Sequence, residues 1–422
     1  MIRDQQKSRR GFLKQLAATA SVAAFPAIIP ATVLGREGNV AASERVRIGI
    51  IGTGGRGSHL AYYMPKTGQV VAVSDCVLKH MEQAQARKPD SVWAKYQDYR
   101  QMLDKENLDA VVVATTDQNR VLASVLACQA GLDVFAEKPL TLTIAEGQTL
   151  VKAARKHSRV CQVGTHQRSM QPNAWAVDQI RRGAIGKVHT VVAHLYKAPK
   201  RYGGLSEEPI PKGLDWNLWT GPAMLHPYNH RLQERMEGYQ GWAQWWDYSG
   251  GDVTLHGAHA ADQIQYTLGK DDTGPVEIWP TSEGLDAEVR MKYADGTIVR
   301  FEREEGVLWG AVFIGEKGKI EINRGRVASN PAELVANAPE SSGGNSEPHL
   351  QDWLDCIKTR EKPIADVEAG HRAVNLCHLI NICRELGRKV NWNPDREEFV
   401  DDPAANTLLD RPRREGFELP LL

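Results

Sequence analysis

The stretch from Arg45 to Asp75 constrains the fold of this sequence more than any other. The apolar segment Arg45–Ile51 predicts a strand, which leads directly into the turn Gly52-Thr-Gly-Gly-Arg-Gly57 and a helix from Ser58. A second strand pattern ends at Asp75, 23 positions after Gly52. Glycines at this spacing between a strand and a helix, followed by such an acid, are typical of a dinucleotide-binding βαβ unit.

Each residue of this turn has a predicted role. Gly52 permits the tight turn, Gly54 lets the backbone approach a pyrophosphate, and Gly57 lets the helix pack closely on the strand. The helix N-terminus then offers unpaired N–H groups to the phosphates. The alternative is an ordinary glycine-rich turn that binds nothing. The predicted cofactor contacts here are Gly52, Thr53, Gly54, Gly55, Arg56, Gly57 and Asp75.

The acid at the end of the second strand also bears on the choice of cofactor. Asp75 would accept hydrogen bonds from a ribose diol and repel a 2'-phosphate, which favours NAD over NADP. Arg56 and Lys79 are close to it in sequence and weaken that preference. The sequence therefore predicts NAD, with NADP as the alternative.

The βα alternation continues after Asp75. Short apolar strands are predicted at 110–114, 133–136 and 159–163, with helices between them, one of which opens on the capping box Thr143-x-x-Glu146. Almost wholly apolar strands separated by helices imply a parallel sheet that is covered on both faces. We therefore expect an α/β protein whose residues 43–165 form a doubly wound Rossmann domain.

From Gly183 onward the pattern changes to alternating strands. Hairpin turns are predicted at Ala294-Asp-Gly296 and at Glu316-Lys-Gly318. Residues 166–390 are thus expected to form an α+β domain with a large, mostly antiparallel sheet. The exposed face of that sheet predicts a homo-oligomer, a dimer or a tetramer. Residues 391–422 are charged and rich in proline, and predict a C-terminal tail on the surface.

Composition excludes several classes of function. Lys plus Arg equals Asp plus Glu at 52 each, so no global charge favours nucleic acid or an anionic membrane. No segment after residue 45 has the apolar length of a membrane span. The six cysteines form no Cys-x-x-Cys pair, and we predict no metal site from them.

The N-terminal segment predicts the cellular location of the protein. Ser8-Arg-Arg-Gly-Phe-Leu-Lys14 precedes a modest apolar run that contains Pro26 and Pro30, and a small-residue exit follows at Val40-Ala-Ala42. The heptad resembles the twin-arginine export signal at all of its specified positions. We therefore expect residues 1–42 to be a twin-arginine signal peptide and the protein to be periplasmic or otherwise extracytoplasmic.

Two further motifs point to the chemistry. Glu137-Lys138-Pro139 follows the strand that ends at Ala136, where a parallel sheet binds its ligands. A lysine there can donate to a substrate oxygen or transfer a proton, while an ion pair between Glu137 and Lys138 is the structural alternative. The second motif, Gly257-Ala-His259-Ala-Ala-Asp262, follows Gly250-Gly251.

Together with the glycine-rich turn, these motifs resemble the Gfo/Idh/MocA family of nicotinamide-dependent sugar and cyclitol oxidoreductases. The resemblance covers nearly the whole chain after the export segment. It implies that Lys138 is catalytic and that His259 lies over the substrate. It also implies that Thr115, Thr116, Asp117, Glu137 and Lys138 line the cofactor, although Arg120 replaces the histidine that is usual after this loop.

One departure from the family matters for the mechanism. Many family dehydrogenases carry an aspartate four residues before the histidine, where this sequence has Leu255. Leucine cannot relay a proton, so His256 or Asp262 would have to substitute. The spacing His256-x-x-His259-x-x-Asp262 also allows a metal site, although we favour a metal-free one.

Substrate contacts are expected from two regions. His166 and Arg168 follow the fifth predicted strand and border the cleft, unless they only satisfy the loop backbone. Five of the eleven tryptophans lie between residues 216 and 246, and aromatic platforms near polar groups suit carbohydrates. Most of these rings would fill a core or an interface. The predicted substrate residues are His166, Arg168, Tyr228, His230, Trp246, His256 and His259.

Three functions follow as hypotheses. The resemblance implies an NAD(P)-dependent oxidoreductase acting on a sugar, a sugar derivative or a cyclitol. Since free nicotinamide nucleotides are scarce outside the cytoplasm, a captive NAD(H) suits a closed cycle. That cycle would pair two sugars, or cleave a glycoside through a keto-sugar as a redox-neutral hydrolase or lyase. The third hypothesis is a non-catalytic sugar-binding protein. This hypothesis predicts that the lysine or the phosphate-binding turn has been lost, but both are present.

Overall fold

A computed structural model describes residues 40–41, 44–234, 241–303, 306–341 and 346–422. The predicted export heptad falls outside these ranges. Residues Val46–Leu422 form one compact unit. In this unit the described residues build two sheets, one parallel and one mixed, which confirms the predicted α/β class.

The first sheet is parallel and has the strand order β3-β2-β1-β4-β5-β6. Its strands are β1 (Val46–Ile51), β2 (Gly68–Ser74), β3 (Ala94–Tyr96), β4 (Ala110–Val113), β5 (Asp133–Ala136) and β6 (Cys161–Val163). The helices between them are α1 (Gly55–Tyr62), α2 (Leu78–Ala86), α3 (Tyr99–Lys105), α4 (Asp117–Gln129) and α5 (Ile144–Lys156). The order reverses next to β1, so a switch point opens beside the glycine-rich turn.

The buried strands explain this arrangement. β4 and β5 are buried at every residue, because helices cover both faces of the sheet. The predicted capping box is present: the Thr143 hydroxyl accepts from the Glu146 N–H at 3.2 Å, and Glu146 accepts from the Leu142 N–H at 2.8 Å. Sequence reasoning missed β3, a short strand of which no residue is fully buried.

The second sheet is mixed and mostly antiparallel, with the order β13-β12-β11-β7-β10-β9-β8-β14-β15. Its strands are β7 (Val188–His194), β8 (Glu277–Pro280), β9 (Val289–Lys292), β10 (Ile298–Glu302), β11 (Ala311–Gly315), β12 (Gly318–Asn323), β13 (Arg326–Asn330), β14 (Val390–Asn393) and β15 (Glu398–Phe399). Both predicted hairpins are present, because β9 pairs with β10 and β11 with β12 in antiparallel register. β7 pairs in parallel with β10.

The helices of this half pack in different places. They are α6 (Gln171–Arg181), α7 (Trp216–Thr220), α8 (His230–Gln233), α9 (Asp252–Leu255), α10 (Gly257–Leu268), α11 (Glu347–Thr359), α12 (Val367–Leu386) and α13 (Pro403–Asn406). α10 and α12 contribute to the core of the second sheet, and α11 to that of the first. None of the described helices is long and apolar enough to cross a membrane.

The two halves of the chain share their cores. Trp353 of α11 is fully buried against Phe135 of β5, with ring centroids 5.6 Å apart, so a late helix covers a face of the first sheet. α12 reaches both cores, since Val374 packs with the first sheet and Leu379 with the second. This packing holds the carboxyl ends of the first sheet against the second half.

The C-terminal segment differs from the predicted surface tail in its first residues. β14 pairs with β8 and β15 pairs with β14, so residues from 390 onward complete the second sheet. The physical reason is that Trp392 and Phe399 are apolar residues within a charged stretch, and they bury their rings together at 4.9 Å. Composition averaged over the tail hides these two side chains.

Candidate active site

One cavity of about 1140 Å³ extends from the glycine-rich turn to the second half of the chain. This volume is above the range of about 300–1,000 Å³ that is typical of ligand pockets. Its lining includes Gly52, Gly54, Gly55, Arg56, Asp75, Thr115, Thr116, Glu137, Lys138, His166, Leu255, His256, His259, Trp309 and Arg324. The tertiary structure thus joins the turn, the lysine and the histidines, which are far apart in sequence.

The geometry of the turn is that of a phosphate cradle. Gly52 has φ +86°, and a Cβ on Gly57 would lie 1.8 Å from the Gly52 oxygen, so both positions exclude larger residues. A Cβ on Gly54 or Gly55 would meet no atom within 4 Å, which leaves room for a ligand. No side chain caps α1, so its first N–H groups remain available to an anion. These residues fit a dinucleotide pyrophosphate.

Asp75 lies at the other end of this cradle and is buried, with one edge on the cavity. Its Oδ2 accepts from the Thr53 N–H at 2.7 Å, and its Oδ1 accepts from the Val77 N–H at 2.8 Å. The nearby His80 has its pKa raised by its hydrogen bond to Asp75. The carboxylate is therefore held in place where a ribose would lie.

Segment 211–219, which belongs to the second half of the sequence, lines the cavity with Pro211, Lys212, Leu214, Leu218 and Trp219. The Leu78 N–H donates to the Gly213 oxygen and the Asp215 N–H to the Cys76 oxygen, both at 2.9 Å. Asn119 of α4 donates to the Trp219 oxygen at 2.7 Å. The segment is thus fastened to both sides of the cradle, and Phe417 from the C-terminal region also lines the cavity.

Lys138 lies where the two halves of the chain meet. Its Nζ donates to the backbone oxygen of Leu255 at 2.8 Å. Burial lowers the pKa of Lys138 to about 8, although the charges of Glu137 and Asp117 oppose this shift. A lysine with such a pKa can donate and exchange a proton near neutral pH. The carbonyl of Leu255 therefore contacts the lysine although its side chain cannot relay a proton.

Glu137 is not the partner of the Lys138 amine. Its Oε1 accepts from Arg56 Nε at 2.7 Å, while its Oε2 accepts from the Lys138 backbone N–H at 3.0 Å. Burial alone would raise the pKa of Glu137, but the charges of Arg56 and Lys138 lower it. The structural alternative of a side-chain pair between Glu137 and Lys138 is therefore absent, and Arg56 lies toward Glu137 rather than Asp75.

Two histidines face each other across the cavity. The rings of His166 and His259 lie edge to face with centroids 5.8 Å apart. Burial and the charge of Arg56 lower the pKa of His166 to about 3, and burial and the charge of Lys138 lower that of His259 well below its ordinary value. Both imidazoles are therefore neutral. The buried Nδ1 atoms of both rings have no described hydrogen-bond partner.

Four predicted substrate residues do not line the cavity, which corrects their assignment. Arg168 is fully buried between Asp262 and Asp271, at 2.8 Å from each. The Asp262 carboxylate is therefore occupied by an ion pair. It does not take the place of the aspartate that many family members carry at the position of Leu255, and it does not act as a metal ligand. Among the described residues, no group of three or more acids, histidines and cysteines could hold a metal ion.

The other three corrections concern the tryptophan-rich region. Tyr228 is buried edge to face against Trp216. His230 is bound to Glu208 at 2.9 Å. The ring of Trp246 lies between two guanidinium groups, with Arg201 at 4.3 Å and Arg411 at 3.9 Å. Aromatic composition cannot distinguish such packing from a sugar platform.

Asp117 is also placed differently from its prediction. It is fully buried and binds Arg120 at 3.0 Å and the Ser249 hydroxyl at 2.9 Å, so it supports the cofactor loop from below. Arg120 in turn donates to the Thr115 oxygen at 2.6 Å and to the Pro139 oxygen. This arginine, in the place of the usual histidine, fastens the two loops together.

Sequence reasoning missed many residues that line the cavity, and three of them are Trp309, Arg324 and Trp242. Trp309 and Arg324 follow β10 and β12, and Trp242 follows the segment 235–240, which is outside the described residues. The signal that could have found Arg324 is its position in a tight turn, Asn323-Arg-Gly325, between two alternating strands. Nothing in the local sequence placed that turn beside His259.

Comparison with known proteins agrees with this architecture. Residues 46–165 match a model of the oxidoreductase family's NAD-binding Rossmann fold, and residues 195–419 match its C-terminal alpha/beta domain. The chain belongs to the Gfo/Idh/MocA oxidoreductase family. The first sheet is therefore that family's NAD-binding domain.

Two curated relatives share part of the chain. Glycosyl hydrolase family 109 protein 1 of Shewanella sp. (strain ANA-3) is 26% identical over 164 residues, which is 36% of each chain. The scyllo-inositol 2-dehydrogenase (NAD(+)) of Bacillus subtilis is 28% identical over 151 residues, 34% of this chain and 42% of that protein. The matches thus span between a third and a half of these relatives' lengths.

A solved structure shows the same fold over most of the chain. The myo-inositol 2-dehydrogenase from Lactobacillus plantarum superposes with a TM-score of 0.60 at 20% identity. The match covers 82% of this chain and 99% of that one. At this level of identity the likeness shows the fold.

The two glycines of the cradle give a matched prediction. Gly54→Val places side-chain atoms in the open space of the cradle, so we expect NADH affinity to fall by more than about tenfold with unchanged thermal unfolding. Gly57→Ala is expected instead to lower the free energy of unfolding by about 1–3 kcal/mol, because its Cβ meets backbone. Calorimetric titration measures the NADH affinity, and thermal unfolding measures the stability. Equal NADH affinity in Gly54→Val and wild type would contradict the prediction that this turn binds the cofactor phosphates.

Proposed function

We propose that the protein is an NAD-dependent oxidoreductase that acts on a hydroxyl group of a sugar, a sugar derivative or a cyclitol. The observation that carries this proposal is the single cavity that begins at the glycine-rich turn and ends at Lys138 and His259. The dehydrogenase relatives, whose names specify inositols, support a polyhydroxylated substrate.

The residues that line the cavity would have distinct roles in this reaction. Bound NAD would accept or supply the hydride, and the α1 N-terminus with Gly54 and Gly55 would hold its phosphates. Lys138 would release the Leu255 oxygen and donate to the reacting substrate oxygen, stabilising negative charge on it. Neutral His166 and His259, which both line the cavity, would hydrogen-bond substrate hydroxyls.

NAD is favoured over NADP as the cofactor. Asp75 would repel a 2'-phosphate, and Arg56 is paired with Glu137 at 2.7 Å, so it does not compensate. Lys79 and His80 line the same end of the cavity and are the cations that remain near Asp75. A binding assay with both dinucleotides measures this preference directly.

A second candidate is a redox-neutral glycoside hydrolase or lyase that keeps its NAD(H) bound and works through a keto-sugar. Three observations favour it: segment 211–219 lines the cavity and is hydrogen-bonded to Cys76 and Leu78, Leu255 replaces the proton-relaying aspartate, and several relatives are named as glycosyl hydrolase family 109 proteins. Oxidation of a hydroxyl to a ketone would acidify the neighbouring C–H, and a base would take that proton as the glycosidic group leaves with a proton of its own. In a hydrolase water would then add to the double bond, in a lyase it would not, and re-reduction of the ketone would restore the cofactor.

Export by the twin-arginine route is part of the proposal. It is supported by the Ser8–Lys14 heptad in front of a modest apolar run. Twin-arginine signals serve proteins that fold before they cross the membrane, which suits a protein that leaves the cytoplasm with its cofactor enclosed. A variant with Arg9→Lys and Arg10→Lys together is expected to stay in the cytoplasm, and cell fractionation measures this.

The protein is also proposed to form a homo-oligomer through the second sheet. The helices cover one face of that sheet, while the other carries half-buried residues such as Arg290, Arg300 and Val312. Sedimentation of the mature protein would show a dimer or a tetramer, and a monomer would contradict this.

The state of the cofactor distinguishes the two candidate reactions. Segment 211–219 lines the cavity and is held there by hydrogen bonds, so the second candidate predicts that protein purified without nucleotide releases about one equivalent of NAD(H) per chain on denaturation. Enzymatic cycling or mass spectrometry measures it. An empty protein that reduces added NAD with a sugar would favour the net dehydrogenase, and a chain that never binds nucleotide would contradict both.

The pKa of Lys138 predicts a pH dependence. Reduction of a keto-sugar needs the protonated amine, so kcat should fall as pH rises through about 8. Lys138→Met should lower kcat by about 10²–10⁴-fold while NADH still binds. Lys138→Arg, which stays protonated, should lose the alkaline limb from whatever activity it retains. An unchanged alkaline limb in Lys138→Arg would contradict the assignment.

A further inference from the structure

Arg324 is a cation at the end of the cavity where Lys138 and His259 lie. It lies in the turn between β12 and β13 and lines the cavity. Its Nη2 lies 3.0 Å from His259 Nε2, and its guanidinium lies over the ring of Trp309 at 5.2 Å. No described carboxylate forms a salt bridge with it, and burial with the charge of Arg56 lowers the pKa of Arg324.

Its two neighbours fix the guanidinium in the site. Trp309 has φ +61°, an unusual backbone conformation for a large residue. The Trp309 N–H donates to the Tyr196 hydroxyl at 3.0 Å and its oxygen accepts from Gln167 at 3.1 Å, so both backbone groups are held. Strained residues that are held in this way are found at ligand sites. The ring therefore offers Arg324 a fixed platform.

The contact with His259 settles the state of that imidazole. Arginine only donates hydrogen bonds, so His259 Nε2 accepts and the ring hydrogen lies on Nδ1. In this arrangement Nε2 is occupied and cannot accept a proton from a substrate hydroxyl. An anion that draws the guanidinium toward itself would free Nε2 for that purpose.

The local charges favour an anion. Arg56 is balanced by Glu137 at 2.7 Å, and His166 is neutral, whereas Lys138 donates only to a backbone oxygen. Among the described residues, Lys138 and Arg324 therefore leave an excess of positive charge beside the two histidines. A carboxylate that accepts from Arg324 would form a charge-assisted hydrogen bond with it.

We propose that the substrate is an anionic sugar, such as a uronic or aldonic acid, and that Arg324 binds its carboxylate and thereby releases His259 Nε2. This inference rests on the proposed function, because it assumes that the sugar occupies the cavity beside Lys138. Arg324 is a specificity residue toward the carboxylate and a positioning residue toward His259.

The test compares matched sugars in wild-type and variant protein. D-glucose with D-glucuronate, and D-galactose with D-galacturonate, are titrated calorimetrically into the mature full-length protein with and without NADH. We expect each acid to bind at least about tenfold more tightly than its neutral partner. Arg324→Met should remove that difference while NADH keeps its affinity, and Arg324→Lys should restore part of it. Arg326→Met, at an exposed position on the same hairpin, is the matched control and should behave as wild type.

The alternatives give different results. Equal affinities for acids and neutral sugars in wild type would overturn the proposal. So would a loss of NADH affinity in Arg324→Met with unchanged acid binding, since Arg324 would then hold the cofactor phosphates. Failure of wild type to bind any nucleotide would overturn the proposed function, while the titrations without NADH would still decide whether Arg324 recognises a carboxylate.

Discussion

The hydrogen bond from the Lys138 amine to the Leu255 carbonyl is the contact on which the site depends. It joins a lysine that follows β5 to the last residue of α9, so it connects the two halves of the chain at the reacting centre. The same burial that brings the halves together removes water from the amine and lowers its pKa to about 8. Burial at this contact therefore accounts both for the packing of the two halves and for the reactivity of the Lys138 amine.

The replacement of the relay aspartate by Leu255 changes the role of its neighbours. The side chain at this position has no proton to exchange, but its backbone oxygen still holds Lys138. His259 is neutral and its Nε2 is occupied by Arg324, so proton transfer here depends on groups outside the usual pair. Two proposals are consistent with this arrangement of groups. One is a closed catalytic cycle, which concerns the cofactor, and the other is an anionic substrate, which concerns the sugar.

The Asp75 end of the cavity is lined by a segment from the second half of the chain. Segment 211–219 is hydrogen-bonded to Cys76, Leu78 and Asn119, and several of its residues line the cavity. A segment that has to move before a ligand exchanges slows that exchange without changing the chemistry at the other end. Slow exchange of a bound dinucleotide would suit the proposed export from the cytoplasm.

The sequence by itself determined the parallel sheet, the glycine cradle and the position of Lys138, because each is encoded within a few neighbouring residues. Strand periodicity, Gly52 and Gly57, and a lysine after a buried strand need no distant partner to be recognised. Only the tertiary structure decided which polar and aromatic residues face the cavity. Arg168 and Trp246 are residue types that are common in sugar sites, yet Arg168 pairs with Asp262 and the ring of Trp246 packs against Arg411. Arg324, in contrast, contacts His259, which is 65 residues away in the sequence. Burial and charge pairing are properties of three-dimensional neighbours, and no local pattern in this chain specifies them.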